Sequence, residues 1–419
     1  MDKELLKKAY KDFRSIRSKY KNMEDYYKGE TDAMRNYKML TKRSNNRVST
    51  NYIQNFIDEE VSYSVGNDAK YISRSGDSNV AEEVKYYLSG LSQAHDINLL
   101  EKMLISSISY EIYHVDKNGD FGARIVSATD GYVILDDSGK VKYFLHQYTR
   151  QLDDTVYLDV YDEDFIYHYN NKFEEVKPKR KHIFGEVPVG VATYNIEEDS
   201  RHKTIYGLIK NIQDSYETNF SDISNEISDF RNAYLTFNGA QVDEEDLPRM
   251  KELGILQIGE GGEVKWLIKN VNDGFIQNTL SKLEENMYNL TKHINHNDKI
   301  LSATSSLAIK ARLLGLQQKC KLNQKALEDC IKMRLKMLFV YLKTVKNKDY
   351  DYRDIKVVFT ANLPSDDVLT ANMISQLGDK ISLETALSQL SFVENPRTEK
   401  DKILEERAEM GESRLEKNE

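Results

Sequence analysis

The chain of 419 residues carries 59 basic and 68 acidic residues, so its formal net charge is −9 at neutral pH. This length allows two or three domains, and 40 % apolar residues can support a sizeable core. The composition argues against a nucleic-acid binder that is basic throughout, and the lack of long apolar runs predicts no membrane span and no secretory signal.

The first 44 residues are rich in lysine and arginine and read as helix with a break after Gly29. The next stretch, "NNRVSTNYIQNFIDEEVSYSVGNDAKY", begins at Asn45. Asn51 is a candidate helix cap, and the apolar residues that follow it recur at helical spacing. Gly66 predicts a left-handed exit from this helix, and a strand is expected at residues 69–72.

Residues 62–195 read as an α+β region. Alternating Val, Ile, Tyr and Phe with turn residues between them predict a tyrosine-rich antiparallel sheet, and two helical patterns interrupt it at residues 79–91 and 98–109.

Two long helices then flank a small β module. Apolar residues from Ile205 to Tyr234 follow one another at threes and fours, which predicts a helix of about 30 residues, and Ile276 to Ile294 repeat the pattern. The residues between them read as short strands with glycine-rich turns. The sequence therefore predicts a helical hairpin with a β knob at its tip.

A long basic helix is predicted for residues 307–345, followed by a strand and further helices. Its eight lysine and arginine residues lie on several faces, which favours a solvated or interface helix over one that reads DNA sequence. The two cysteines, Cys320 and Cys330, lie on different faces of this helix and are expected to be buried thiols.

Motifs for catalysis and for nucleotide binding are absent from the sequence. There is no phosphate-binding loop, no zinc-protease motif, no nucleophile elbow and no CxxC pair. His293 and His296 with Asp298 offer too few convergent ligands to favour a metal site. We therefore expect no enzyme activity, no cofactor and no bound metal.

Several blocks in this order resemble the portal proteins of tailed bacteriophages, in the group typified by phage SPP1. The resemblance covers nearly the whole chain and rests on "YYKGE", "NNRVSTNYIQNFIDEEVSYSVGNDAKY", "HIFGEVPVGVATYN", "KTIYGLIKNIQDSYETNFSDISNEISDFRNAYLTFNG", "SSLAIKARLLGLQQKCKLNQ" and "LPSDDVLTANMISQLGDKISLETALSQLSFVENPRTEK".

The resemblance implies an α+β portal fold with an α+β wing, a long helical stem hairpin, a small β clip and a helical crown. The implied parts are wing 1–204, first stem helix 205–235, clip 236–270, second stem helix 271–294, tunnel loop 295–305, wing helix and strand 306–362, and crown with carboxyl-terminal tail 363–419.

The site residues follow from these parts. The tunnel loop projects into a central channel in the family, so the polar residues expected to face DNA are Asn295, Asn297, Asp298, Lys299 and Ser302. A second candidate site, for docking at the clip, consists of Asp243, Glu244, Glu245, Asp246 and Leu247. Simple solvation of a loop tip explains this acidic run equally well.

The implied function is a dodecameric ring at one capsid vertex through which double-stranded DNA is packaged, retained and ejected. Expected partners are a separate terminase, the head-to-tail connector, and the major capsid and scaffold proteins, with non-specific DNA contact and no membrane. The expected location is the virion, after assembly in the host cytoplasm. A coiled-coil scaffold without a channel is the alternative, since the spacing of both long helices also suits a dimer.

Overall fold

The computed structural model describes residues 2–38, 45–230, 234–238, 263–267, 273–295, 306–360, 367–390, 393 and 396–415. Contacts divide the chain into two compact units, residues 1–361 and 362–419.

Three helices begin the first unit: α1 (Lys3–Tyr27), α2 (Asp32–Asn36) and α3 (Tyr52–Val65). The carboxylate of Asp2 accepts hydrogen bonds from the amides of Glu4 and Leu5 at 3.0 and 3.1 Å, which starts α1. Gly29 takes a φ of +79° directly after α1, which explains the break that the sequence predicts.

Helix α3 begins and ends at the predicted residues, but the conformation at each end differs from the prediction. Asn51 precedes the helix, but it is itself left-handed at φ +51° and its side chain bonds the side chain of Gln54 instead of a backbone amide. The predicted side-chain cap is therefore wrong. Gly66 ends the helix at φ −63°, so the predicted left-handed exit is wrong too. The expected strand follows as β1 (Lys70–Ser73).

The α+β region contains two helices, α4 (Ser78–Leu88) and α5 (His95–Ser106). Its strands are β2 (Ile108–Val115), β3 (Phe121–Ser127), β4 (Gly131–Leu135), β5 (Val141–Arg150), β6 (Asp153–Tyr161), β7 (Phe165–Asn170), β8 (Glu175–Lys181) and β9 (Val189–Thr193).

These strands form two antiparallel sheets. The three-stranded sheet has the order β3-β2-β9, and the five-stranded sheet has the order β4-β5-β6-β7-β8. Side chains alternate across the five-stranded sheet. Phe144 packs on one face with residues of β2, whereas the next residue, Leu145, packs on the other face against Phe13 of α1.

The long helices are α6 (Ile205–Phe230), α7 (Asp273–Thr291) and α8 (Ser306–Val345). With 26 residues, α6 is about 39 Å long at 1.5 Å per residue. It packs against α7. Between the two helices, β10 (Tyr234–Asn238) and β11 (Glu263–Leu267) pair antiparallel, as a helical hairpin with a β tip requires.

The main core lies where α3, α5 and α8 meet the three-stranded sheet. Side chains that are fully buried there include Phe56, Ile57, Leu99, Leu327 and Ile331. After α8, strand β12 (Ile355–Val358) pairs with β1 and so returns the chain to this core.

The second unit contains α9 (Asp367–Leu377), α10 (Leu383–Leu387) and α11 (Pro396–Leu415). In α10, Ala386 and Leu387 are buried. Within the described ranges of both units, no helix combines the length and apolar character that crossing a bilayer requires.

Candidate functional site: the anchored ends of the long helices

The residues singled out from the sequence lie mostly beyond the structure. Asn295 is the last described residue after α7 and is half-buried. The other four tunnel-loop residues, Asn297, Asp298, Lys299 and Ser302, are outside the described residues, and so are the clip residues Asp243, Glu244, Glu245, Asp246 and Leu247. The structure does show the contacts that fix the end of α7, immediately before the segment 296–305.

His293 fixes the end of α7 to α3. Its ring stacks on Phe56 with a centroid distance of 4.4 Å. Nε2 lies 3.0 Å from the carbonyl oxygen of Phe56, and Nδ1 lies 3.0 Å from the carbonyl oxygen of Thr291. The carboxylates of Glu59 and Glu60 also lie near Nε2, at 3.9 and 3.8 Å.

Glu60 joins α3 to α8 one turn further along. Its carboxylate is fully buried, and one oxygen lies 2.6 Å from Nζ of Lys319 while the other accepts a hydrogen bond of 2.6 Å from Nδ2 of Asn323. Lys319 also donates to the carbonyl oxygen of Thr291 at 3.4 Å. A buried carboxylate needs such partners to offset its desolvation, so this contact joins the end of α7 to the interior of α3 and of α8.

The sequence carried a signal for this contact. Glu60 occupies a position of the apolar stripe of α3, three residues after Ile57 and next to Val61. A charged residue on a buried face requires a buried partner. The expectation of a solvated basic helix was wrong for Lys319, whose side chain is 16 % exposed.

A row of polar residues on α6 forms a second anchor. Four side chains spaced by one turn are fully buried: Gln213, Glu217, Ser221 and Asn225. They face the segment 45–50, which leads to α3. Asn225 Oδ1 accepts from the amide of Asn46 at 2.6 Å, Ser221 Oγ from that of Val48 at 3.0 Å, and Glu217 Oε1 from that of Thr50 at 3.0 Å. We call this set of contacts the polar ladder.

Simple geometry explains the ladder. Four residues of helix rise about 6.0 Å, and two residues of extended chain advance about 6.6 Å. Successive turns of α6 therefore meet alternate amides of the segment. The ladder continues into α3, where Gln213 Oε1 accepts from the amide of Ile53 at 3.2 Å, and into the start of α2, where the hydroxyl of Thr31 donates to Glu217 at 2.6 Å.

A buried ion cluster holds the middle of α8. Arg334 is 2 % exposed; its Nε lies 2.8 Å from the fully buried carboxylate of Glu111 on β2, and its Nη2 lies 2.6 Å from Asp96 on α5. His95 Nε2 lies 2.6 Å from the same Glu111. Burial raises the pKa of Glu111, but Arg334 and His95 outweigh burial and the net shift is downward. The expectation of solvation was therefore wrong for Arg334 as well.

The chemistry of these contacts is that of binding and positioning. Both cysteines are buried and free, as predicted, and burial raises the pKa of Cys320 to about 12. Such thiols are not nucleophiles at neutral pH. Within the described ranges, no group of three or more His, Cys, Asp and Glu side chains is arranged to hold a metal ion.

The structure is therefore a long helix pair, α6 and α7, that buried polar contacts join to an α+β body. The fold is similar to a solved structure titled "Neck of empty GTA particle computed with C6 symmetry", with a TM-score of 0.50 and 9 % identity, covering 80 % of this chain and 88 % of that one.

The chain belongs to the SPP1 Gp6-like family of phage portal proteins, whose model matches residues 6–413. It is also 20 % identical over 396 residues to the portal protein of Bacillus phage SPP1, covering 87 % of this chain and 76 % of that protein. The resemblance found in the sequence is thereby confirmed. Members of this family have a structural rather than a catalytic role.

Proposed function

We propose that this portal protein assembles as a dodecameric ring and forms the channel through which double-stranded DNA enters, stays in and leaves a capsid at one vertex. The observation that carries the proposal is the helix pair α6 and α7, which is joined by a β hairpin and held at its base by the polar ladder and by His293. Copies of such a pair, side by side around an axis, form a wall around a hole.

Exposed apolar side chains support this arrangement. Five large apolar residues on the three long helices are 37–64 % exposed in the single chain: Phe220, Ile227, Leu290, Leu314 and Leu322. Their burial between subunits removes apolar surface from water. A head-to-tail contact of this kind closes into a ring when its rotation allows.

The parts keep the roles that the family implies. Residues 1–204 and 306–362 form the wing, 205–235 and 271–294 the stem, 236–270 the clip, and 363–419 the crown and tail. The loop 295–305 faces DNA through Asn295, Asn297, Asp298, Lys299 and Ser302. The anchors at His293 and Glu60 support this role, because they fix the point from which the loop starts.

DNA passage requires weak contact with phosphates. Each phosphate that a protein neutralises releases counterions and adds affinity. One lysine beside an aspartate in the loop permits sliding, whereas a dense row of lysines holds DNA in place.

The clip supplies the docking surface in this proposal. Asp243, Glu244, Glu245, Asp246 and Leu247 contact the terminase during packaging and the head-to-tail connector afterwards, while the wing contacts major capsid and scaffold proteins. The ring forms in the host cytoplasm and remains in the virion.

The assembly is tested by native mass spectrometry and negative-stain microscopy of the purified protein. Rings with a central hole are expected. Rods or dimers without a hole contradict the channel and favour the coiled-coil scaffold.

The loop is tested by DNA packaging in particles built with Lys299→Ala or Asp298→Ala, with ring assembly checked first. We expect reduced packaging or reduced DNA retention. Lys282→Ala is the matched control, because Lys282 is an exposed lysine of α7 whose side chain pairs only with Glu285 among its contacts in the described ranges. Unchanged packaging and retention in both loop variants removes the assignment of these residues.

A further inference from the structure

A cavity of about 570 Å³ lies between α1, β4 and the segment 195–200 that leads to α6. Its volume falls within the range of about 300–1,000 Å³ that is usual for ligand sites. Much of the lining is apolar and comes from three directions, with Leu5, Ala9 and Ile16 on α1, Ile108 on β2 and Ile134 on β4.

Three tyrosines from different elements also line the cavity: Tyr20 on α1, Tyr110 on β2 and Tyr132 on β4. Their phenol groups lie close enough to influence one another. Burial raises the pKa of Tyr110 well above its usual value, and Tyr20 and Tyr132 raise it further. Tyr110 and Tyr20 are buried, at 2 and 8 % exposure, and the guanidinium of Arg201 already lies 5.9 Å from the Tyr20 ring. The half-buried Tyr132 therefore offers the aromatic face to a cation.

Ser200 adds a buried hydroxyl that has no partner. The residue is 2 % exposed and lines the cavity, and no group in the described parts of the chain makes a hydrogen bond with its Oγ. A buried polar atom without a partner costs free energy unless something binds it. This hydroxyl is therefore a second polar group that points to a ligand.

The rim of the cavity is acidic. Asp12, Glu197 and Glu198 are exposed carboxylates, and within the described ranges none of them forms an ion pair. Asp199 is already occupied, since it pairs with Arg201 at 2.6 Å. Only Lys8 opposes the three free carboxylates on the rim, so the field at the mouth favours a cation.

We infer that this cavity is a docking site for an extended segment of another protein that carries lysine or arginine between apolar residues. The apolar lining accepts the methylene stem of such a side chain, the ring of Tyr132 and the Ser200 hydroxyl receive its cationic head, and the rim carboxylates attract neighbouring positive charges. Lys8 is one positive charge against three carboxylates, so the rim disfavours a phosphate or an acidic segment.

The inference is tested on the purified, assembled protein with fluorescent pentapeptides. The probe alternates lysine and leucine, and the control peptide alternates glutamate and leucine; binding is followed by fluorescence anisotropy in about 0.15 M salt. The lysine peptide is expected to bind and the glutamate peptide is not. The rim variant Asp12→Asn/Glu197→Gln/Glu198→Gln is expected to weaken binding at least tenfold.

Two further variants separate the cavity from general charge attraction. Tyr132→Leu keeps every charge and is expected to weaken binding about twofold to fivefold through the lost aromatic face. Asp154→Asn/Glu163→Gln/Glu175→Gln removes three exposed carboxylates of the five-stranded sheet and is expected to leave binding unchanged.

Three outcomes overturn the inference: no binding of the lysine peptide, equal binding of the glutamate peptide, or equal losses in the rim variant and in the sheet control. If a second copy of this chain covers the cavity in the assembly, the lysine peptide does not bind. The test does not depend on DNA passage, so its failure leaves the proposed channel untouched.

Discussion

Replacement of Arg334 by methionine tests how firmly α8 is held to the body of the protein. The guanidinium is 2 % exposed, and its loss leaves the carboxylate of Glu111 at 0 % exposure without its main counter-ion. Breaking one partner of a buried ion pair costs about 3–5 kcal/mol. His95 at 2.6 Å and the hydroxyl of Tyr113 at 2.9 Å still contact Glu111, so we expect a loss near the lower end, about 3 kcal/mol.

The assay is urea denaturation at pH 7, at one fixed protein concentration because assembly contributes to apparent stability. Lys332→Met is the matched control: it removes one positive charge from the same helix, but Lys332 is half exposed and pairs with Glu328 and Asp329 at the surface. Exposed pairs contribute at most about 1 kcal/mol. The double variant Arg334→Met/Glu111→Gln should regain part of the loss, because it removes the uncompensated charge.

Acid should weaken the same cluster in a definite direction. The pKa of Glu111 is lower in the folded protein than in the unfolded chain. Its contribution to stability is therefore fully present above the unfolded pKa and is lost as the pH falls through the folded pKa. The reasoning fails if Arg334→Met and Lys332→Met lose the same stability at pH 7, since burial then plays no part.

Three further results are expected. Glu217→Ala leaves buried donors of the polar ladder without an acceptor, which costs about 1–3 kcal/mol for each donor. This variant should speed amide hydrogen exchange at residues 46–50, whereas Asn211→Ala on the exposed face of α6 should not. Equal exchange rates in the two variants contradict the ladder. Cys320 and Cys330 should resist a thiol reagent until the protein unfolds, because burial raises the pKa of both; modification of the native protein at neutral pH refutes this. Burial, helped by a neighbouring arginine, lowers the pKa of His146 to about 3, so the contribution of His146 to stability falls as the pH drops below about 6.5. His146→Gln should therefore lose less melting temperature between pH 6.5 and 5 than the unaltered protein. The same loss in both proteins contradicts this prediction.

Apolar periodicity was sufficient to predict the long helices. Residues such as Ile209 on α6 and Met287 on α7 are buried because their spacing places them on one face. The alternation in residues 121–170 likewise predicts the sheet. These patterns are local, and a local pattern determines which face of an element is buried.

The polar anchors could not be predicted in the same way. Glu217 and Asn225 on α6 look like members of a solvated face until the segment 45–50 is placed against them. Their partners are more than 160 residues away in sequence, as the bond from the Thr50 amide to Glu217 shows. The prediction at Gly66 failed because a glycine after an apolar stripe permits a left-handed residue but does not require one, and here its φ is −63°.

The anchors share one element, α3. Its first turn bonds α6 through the amide of Ile53, its second turn bonds the end of α7 through the carbonyl oxygen of Phe56, and its third turn bonds α8 through Glu60. Apolar contacts alone tolerate sliding, whereas buried hydrogen bonds have direction and fix the register. A movement of α7 along its axis must therefore carry α3 with it or break the bond between His293 and Phe56. Because α3 also bonds α6 and α8, buried polar contacts connect the end of α7 through α3 to both of the other long helices.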